Sequence, residues 1–527
     1  MENIDVIVIG SGIGGLTAAA LLARYGKRVV VCESHTVPGG AAHSFKRRGF
    51  EFDSGPSFYC GLTGAKSLNP VKQVLDALGE SLQTVAYDPL GHYHLPNISF
   101  PVYSNAERYC EEIAKRTPQG AREWKQFADR LLPLYEAMKD IPSLVLRADW
   151  QLVLVLIGRY LPSLFKMLPN LPLVQSSAGS VMDATVKDPW VRQLIDLECF
   201  LLSGLKAHGT IAPEVAFMLG ERSRTHVEYP TGGSDAIVKA LVRGLERWGG
   251  ELLLGHHVEQ ILVETFHGKT RDDKTHDKAQ QDKTRHGASL HRVTGVRLKT
   301  GQTLKAPVVI SNASLWDTYS HLLQPEDLPP SFCKTALSTP AVDSFMHLHL
   351  GIRAEALENL TGHHVVVHDG HKDITVPGNT CMISIPSVWD ATLAPFGHHV
   401  IHAYTLEPFT GWERNNGYEQ KKQEKAQTLY RALERIIPDI RERVVLELIG
   451  TPLTHAHYLR RDRGTYGPAI EAGKGMFPGT QTPIQGLYRV GDSTMPGIGV
   501  PAVAASGILC ANTLVQPRQT EELLKVL

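Results

Sequence analysis

The stretch VIVIGSGIGG, Val6 to Gly15, constrains this chain more than any other part of it. Four β-branched residues run straight into glycines at 10, 12 and 15, which fits G-x-G-x-x-G between a buried strand and a helix. The first glycine permits the tight turn, the second lets backbone approach a pyrophosphate, and the third lets helix and strand pack closely. Gly14 lies in the same turn. The spacing predicts a strand over 5–9, a helix over 16–25 ended by Gly26, and a second strand over 28–33. Phosphate would meet the free N–H groups of the helix start. Glu33 closes the second strand, where a carboxylate accepts from ribose hydroxyls and repels a 2′-phosphate. Strand, helix and acid together predict a dinucleotide site, and leave NAD and FAD both open.

Composition narrows the partners. Lys plus Arg equals Asp plus Glu at 54 each in 527 residues, and no basic helix marks a polyanion binder, so nucleic acid is not expected. Seven scattered cysteines without a C-x-x-C pair suit a reducing compartment. The opening residues carry no basic region with a cleavable apolar core, and the longest apolar run, LVLVLIG, falls short of a bilayer span. The expectation is cytoplasm, or the cytoplasmic face of a membrane, with no signal peptide and no transmembrane segment.

Five segments are expected: 1–68 and 226–314 as the first two parts of the nucleotide domain, 69–225 as a mainly helical cap, 315–481 as a substrate-side sheet, and 482–527 as the closing part of the nucleotide domain. Residues 266–292 are charged, repetitive and almost free of large apolar groups, which predicts a disordered hairpin insertion; its histidines read as a solvated loop, with no metal inferred there.

The residues SHTVPGGAAHSFKRRGFEFDSGPSFY after Glu33, and the closing VGDSTMPGIGVPAVAASG, resemble the flavoprotein superfamily of phytoene desaturases, carotenoid isomerases, retinol saturase and amine oxidases. GTPLTHAHYLRRDRGTYGPA also matches, whereas the helical middle matches only in kind. The resemblance implies an α/β fold: a discontinuous Rossmann-like FAD domain of the glutathione-reductase type, with a mixed-sheet substrate domain and a helical cap. It implies FAD, with NAD(P)H or a quinone as electron partner. It carries cofactor contacts onto the Gly39–Gly40 pair, the backbone of Val258, the Gly491–Asp492 pair at the pyrophosphate or ribityl chain, and the helix start at Gly499 and Val500, whose positive end would face the flavin and favour its reduced anion. Many members follow the Gly-Gly pair with an arginine at the pyrophosphate; this chain has Ala41.

The family chemistry implies a lipophilic polyene. GGAAHSF and FDSG match the isomerase and saturase branch most closely, so cis-to-trans isomerisation of a carotenoid is the leading expectation and desaturation or saturation the alternative. An amine oxidase reading would need FAD attached through a cysteine, and Cys510 lies deep in the last predicted helix. A non-catalytic prenyl binder would not need the intact glycines, Glu33 and Asp492. Residues 141–174, apolar with Arg147, Arg159 and Lys166 interspersed, read either as a headgroup-layer surface or as two core helices. Catalytic candidates are Tyr466, Arg463, His347 and His349; the two histidines share one strand face and line a cavity or form a partly solvated surface, again with no metal inferred. His43 either approaches the cofactor or makes a structural hydrogen bond. Oligomeric state is left open.

Overall fold

The computed structural model describes residues 3–525 apart from 56 and 267–289. Most of the expected hairpin insertion lies outside the described residues. The strands flanking it, Val258–Phe266 and Leu290–Leu298, pair antiparallel and are joined by Thr303–Lys305 in a three-stranded meander.

A five-stranded parallel sheet carries the glycine turn. Its order is Glu251–Leu253, Val29–Cys32, Val6–Ile9, Val308–Ser311, Leu487–Arg489, so both ends of the chain and its middle share one sheet. The opening strand is central: Val6 lies opposite Val29 on one side and Val308 on the other. Buried on both faces, these strands are continuous Val/Ile runs without polar alternation. The helix Ile13–Arg24 is nearly all small or apolar and packs between Asp235–Arg247 and the closing helix Val500–Thr513 in one apolar core.

A seven-stranded mixed sheet forms the second domain, in the order Val444–Gly450, Ser344–Arg353, His398–Glu407, Thr380–Ser384, His363–Val367, Gly91–Leu95, Ile98–Val102. Its last two strands come from within 69–225, where the sequence reading expects mainly helix; GHYHLPNISFPV alternates around a Pro-Asn turn, a period-two signal too short to stand out. From Ala106 to Arg224 the chain is helical and shares a core with the edge of this sheet. The result is an α/β fold with a parallel-sheet domain, a mixed-sheet domain and a helical cap.

Candidate active site

The glycine turn is built by close backbone approach. Gly10 has φ +90°, a conformation that side chains strain. A Cβ on Gly15 would stand 2.3 Å from the Gly10 carbonyl oxygen, and one on Gly14 would stand 2.9 Å from the backbone nitrogen of Gly491. The opening turn and the closing Gly-Asp loop are therefore in contact. Asn312, at the end of the neighbouring parallel strand, fills the space beneath both: its amide would lie 2.6 Å from a Cβ on Gly12, and its Oδ1 2.8 Å from one on Gly491. Sequence reading missed Asn312, because only strand order brings it under the turn.

Glu33 is committed on two sides. Its carboxylate accepts from the Ser11 backbone N–H at 2.8 Å and hydroxyl at 2.7 Å, and from the His35 N–H at 2.7 Å. It thus fixes the turn while still lining the cavity. Gly39 donates to the Ser11 carbonyl at 3.0 Å, which lays the Gly39–Gly40 pair against the turn.

From this cradle a cavity of about 1900 Å³ runs through the molecule. Gly10, Gly12, Gly14, Glu33, Gly39, Gly40, Val258, Gly491, Asp492, Gly499 and Val500 all line it; Gly15 faces the strand instead. Farther along, the wall becomes apolar, with Leu156, Leu164, Met167, Leu202, Phe217 and Ile498. The cavity thus joins a glycine cradle of the kind that receives phosphate to a long apolar slot.

The comparisons with known proteins name the cofactor class. Residues 13–515 match the family described as flavin containing amine oxidoreductase. The chain belongs to that family. This flavoprotein is 35% identical to prolycopene isomerase 1, chloroplastic, of an Oncidium hybrid cultivar, over the whole of this chain and 86% of the relative. It is 25% identical to the all-trans-retinol 13,14-reductase of Danio rerio, covering 98% of this chain and 86% of the relative. A solved oxidoreductase from Methanosarcina mazei shares the fold, with a TM-score of 0.61, 20% identity, and coverage of 96% of this chain and 99% of that one.

The flavoprotein's residues suit its cofactor. The N–H groups of Ile13, Gly14 and Gly15 open a helix and have no carbonyl one turn back, the arrangement that receives phosphate. Nε of Arg461 is buried and has no hydrogen-bond partner among the described residues, while Nη2 stands 2.5 Å from the Asp492 carboxylate. His43 lines the cavity as well, with Nδ1 2.7 Å from the Gly40 carbonyl.

The catalytic candidates separate. Tyr466 lines the cavity, edge-on to Phe345 at 5.1 Å, and burial raises its phenol pKa. Arg463 also lines it, but is half-exposed and held by Asp462 at 2.8 Å. His347 and His349 do point to one face, yet neither reaches the cavity lining and both are buried at 7% exposure, which corrects the expectation of a partly solvated surface. The reason is the neighbouring strand: His402 stacks on His349 at 4.3 Å and shares a hydrogen bond with His347, Nδ1 to Nε2, at 2.9 Å. Burial pushes His347 and His402 well below their usual range and His349 to about 4, so the stack is neutral at pH 7. His455, which sequence reading passed over, stacks on His347 at 5.3 Å and brings this group to the cavity wall; burial holds it at about 4.

The segment Gln151–Val174 is exposed, as the headgroup-layer alternative expects and two core helices would not be, but it is longer than the apolar run counted in the sequence. It forms 24 helical residues, long and apolar enough to cross a membrane by length and composition, of which only Ser163, Asn170 and Leu173 are buried. Counting unbroken apolar runs missed it, because Arg159 and Lys166 interrupt the run without ending the helix. One face lines the cavity through Leu156, Leu164, Met167 and Val174; Trp150 (71% exposed), Val153, Ile157 and Phe165 (62%) stand outside.

Proposed function

We propose that this chain is an FAD-dependent isomerase of a carotenoid-like polyene, turning cis double bonds trans without net oxidation. The observation that carries the reading is one cavity running from a phosphate-type glycine cradle to the inner face of an exposed apolar helix. The 35% identity to a prolycopene isomerase along the whole chain supports the same substrate class.

In this reading the helix start at residues 13–15 and the Gly39–Gly40 pair receive the pyrophosphate, Glu33 the ribose, the Val258 backbone the adenine, and Asp492 the ribityl chain. The helix starting at Val500, with Gly499 before it, points its positive end at the ring. Bound there in its reduced form, a flavin would supply the electron density that lowers the order of one conjugated double bond, with NAD(P)H or a quinol as the source of its electrons. The chain's own task is to exclude water and withhold protons. Leu202, Phe217 and Ile498 do the first. Neutral His455 and un-ionised Tyr466 do the second, since neither is a proton donor of useful strength near pH 7.

Glu214 is the exception on that wall. Burial raises its carboxyl pKa to about 7, so it is neutral below that pH and charged above it. Affinity for an apolar polyene is expected to fall about 3- to 10-fold between pH 6 and pH 8, as a carboxylate forms beside the ligand. In Glu214→Gln the pH dependence should vanish; polyene titrations of both proteins at the two pH values check this.

The exposed helix supports a peripheral site on a lipid surface. Tyr160 breaks it with φ −118° and ψ 23°, and prolines follow at 162, 169 and 172. Arg159 pairs with Glu521 at 3.0 Å and Lys166 with Asp140 at 3.2 Å, which ties the helix down along the protein body. A kinked, anchored helix whose inner face covers the cavity and whose outer apolar face is exposed suits the interfacial plane of a membrane better than a crossing. A polyene would then pass from the lipid beneath it into the slot.

Saturation or desaturation is the second reading, favoured by the 25% identical retinol reductase. Anaerobic incubation with a poly-cis carotenoid, the protein oxidised in one sample and pre-reduced in the other, separates the two. The isomerase reading expects an all-trans product of unchanged mass from the reduced sample alone; a two-hydrogen mass change would transfer the assignment to the second reading.

A further inference from the structure

A pyrophosphate brings two negative charges into a cavity that must neutralise them. The cavity lining offers three permanent cations, Arg460, Arg461 and Arg463, all on one short loop. Where the Gly39–Gly40 pair leads away from the glycine turn, the lining residue is the uncharged Ala41. Among the described residues, side-chain counter-charge in the lining is therefore confined to this loop, beside what the helix start itself supplies.

The three arginines differ in their commitments. Arg463 is half-exposed, bound to Asp462 at 2.8 Å and set over the Trp316 ring at 5.9 Å. Arg460 is exposed and close enough to His257, next to Val258, to lower that imidazole's pKa alongside its burial. Arg461 is the least exposed, with 18% of its side chain exposed, its Nη2 2.5 Å from Asp492 and its buried Nε unpartnered among the described residues. Asp492 follows Gly491, whose nitrogen a Cβ on Gly14 would approach to 2.9 Å, so Arg461 is joined through Asp492 to the loop that abuts the glycine-rich helix start.

The loop is held in shape at a cost. Arg460 and Arg463 sit at φ 49° and 50°, a left-handed backbone that non-glycine residues adopt only when the surroundings enforce it. The enforcement is visible: the Asp462 N–H donates to Asp317 at 3.0 Å, and His455 Nδ1 lies 2.9 Å from the Gly464 carbonyl. Left-handed backbone on both sides of Arg461 fixes the position of this under-partnered guanidinium.

We propose that Arg461 neutralises the pyrophosphate of FAD, bridging it to Asp492 and supplying the charge that the loop after Gly40 lacks. This rests on the FAD reading of the cavity. Full-length protein and the variants Arg461→Ala and Arg461→Lys would be compared for FAD dissociation constant, by flavin fluorescence quenching at low and high NaCl, and for the midpoint potential of the saturated flavin. Arg461→Ala is expected to weaken FAD binding about 10- to 100-fold and to flatten its salt dependence, with Arg461→Lys recovering part of both and the potential unmoved. Wild-type affinity in Arg461→Ala would overturn the assignment, as would weakened binding with undiminished salt dependence, or a shifted potential at unchanged affinity. If the alanine variant fails to fold, Arg461→Gln decides by the same measures, since glutamine removes the charge and keeps a polar side chain in place. A wild-type chain that takes up no FAD would defeat the cofactor reading itself, an outcome distinct from equal affinities.

Discussion

Replacing Gly14 by valine is expected to give a colourless protein. The new Cβ would stand 2.9 Å from the Gly491 nitrogen, 3.0 Å from the Gly491 Cα and 3.0 Å from Asn312 Oδ1. Two of these atoms are backbone, fixed by a parallel sheet on one side and a helix on the other, so the loop cannot yield without parting the opening turn from the closing one. Overpacking of this kind costs about 1–3 kcal/mol of stability. The effect on the cofactor is larger, because separating the two loops removes at least two charge-assisted contacts, a loss of about 100-fold or more in flavin affinity. Absorbance near the flavin maximum, per mole of folded protein, reads the outcome; a yellow variant with wild-type flavin content would show that the two loops do not jointly hold the cofactor.

The second large effect concerns the exposed helix. Val153, Ile157 and Phe165 are 56%, 53% and 62% exposed and do not line the cavity, so changing them to aspartate leaves the slot intact. Each such side chain contributes about 1 kcal/mol when its exposed half enters lipid, and each new carboxylate is repelled from it. The triple variant is expected to lose about 100-fold or more in partitioning onto anionic liposomes, while its melting temperature stays near that of the parent, as for surface substitutions generally. Co-sedimentation measures it. Undiminished binding would mean that the helix is not the membrane contact.

These two sites differ in how far the sequence reveals them. The glycine turn, Glu33 and the Gly491–Asp492 loop were legible because each is a local arrangement: a residue type at a fixed spacing, needed for a particular backbone shape. Asn312 was not, since nothing in ISNAS signals that the strand before it pairs with Val6–Ile9. Arg461 and His455 lie within a stretch whose resemblance was visible, but which of several arginines and histidines turns inward is decided by a helix ending and two left-handed residues. His347 and His349 were placed on one face correctly; their burial depends on His402, a partner strand away. In the helix 151–174 the charges that seemed to break the apolar run bind Glu521 and Asp140 instead, contacts that no local pattern encodes.

In the proposed reaction a double bond rotates in a dry slot with no hydrogen gained or lost. The measurement closest to that claim is the product mass when pre-reduced protein turns over a poly-cis polyene anaerobically in D₂O. An all-trans product of the starting mass, free of deuterium, is predicted; deuterium on carbon, or a gain or loss of two hydrogens, would contradict it.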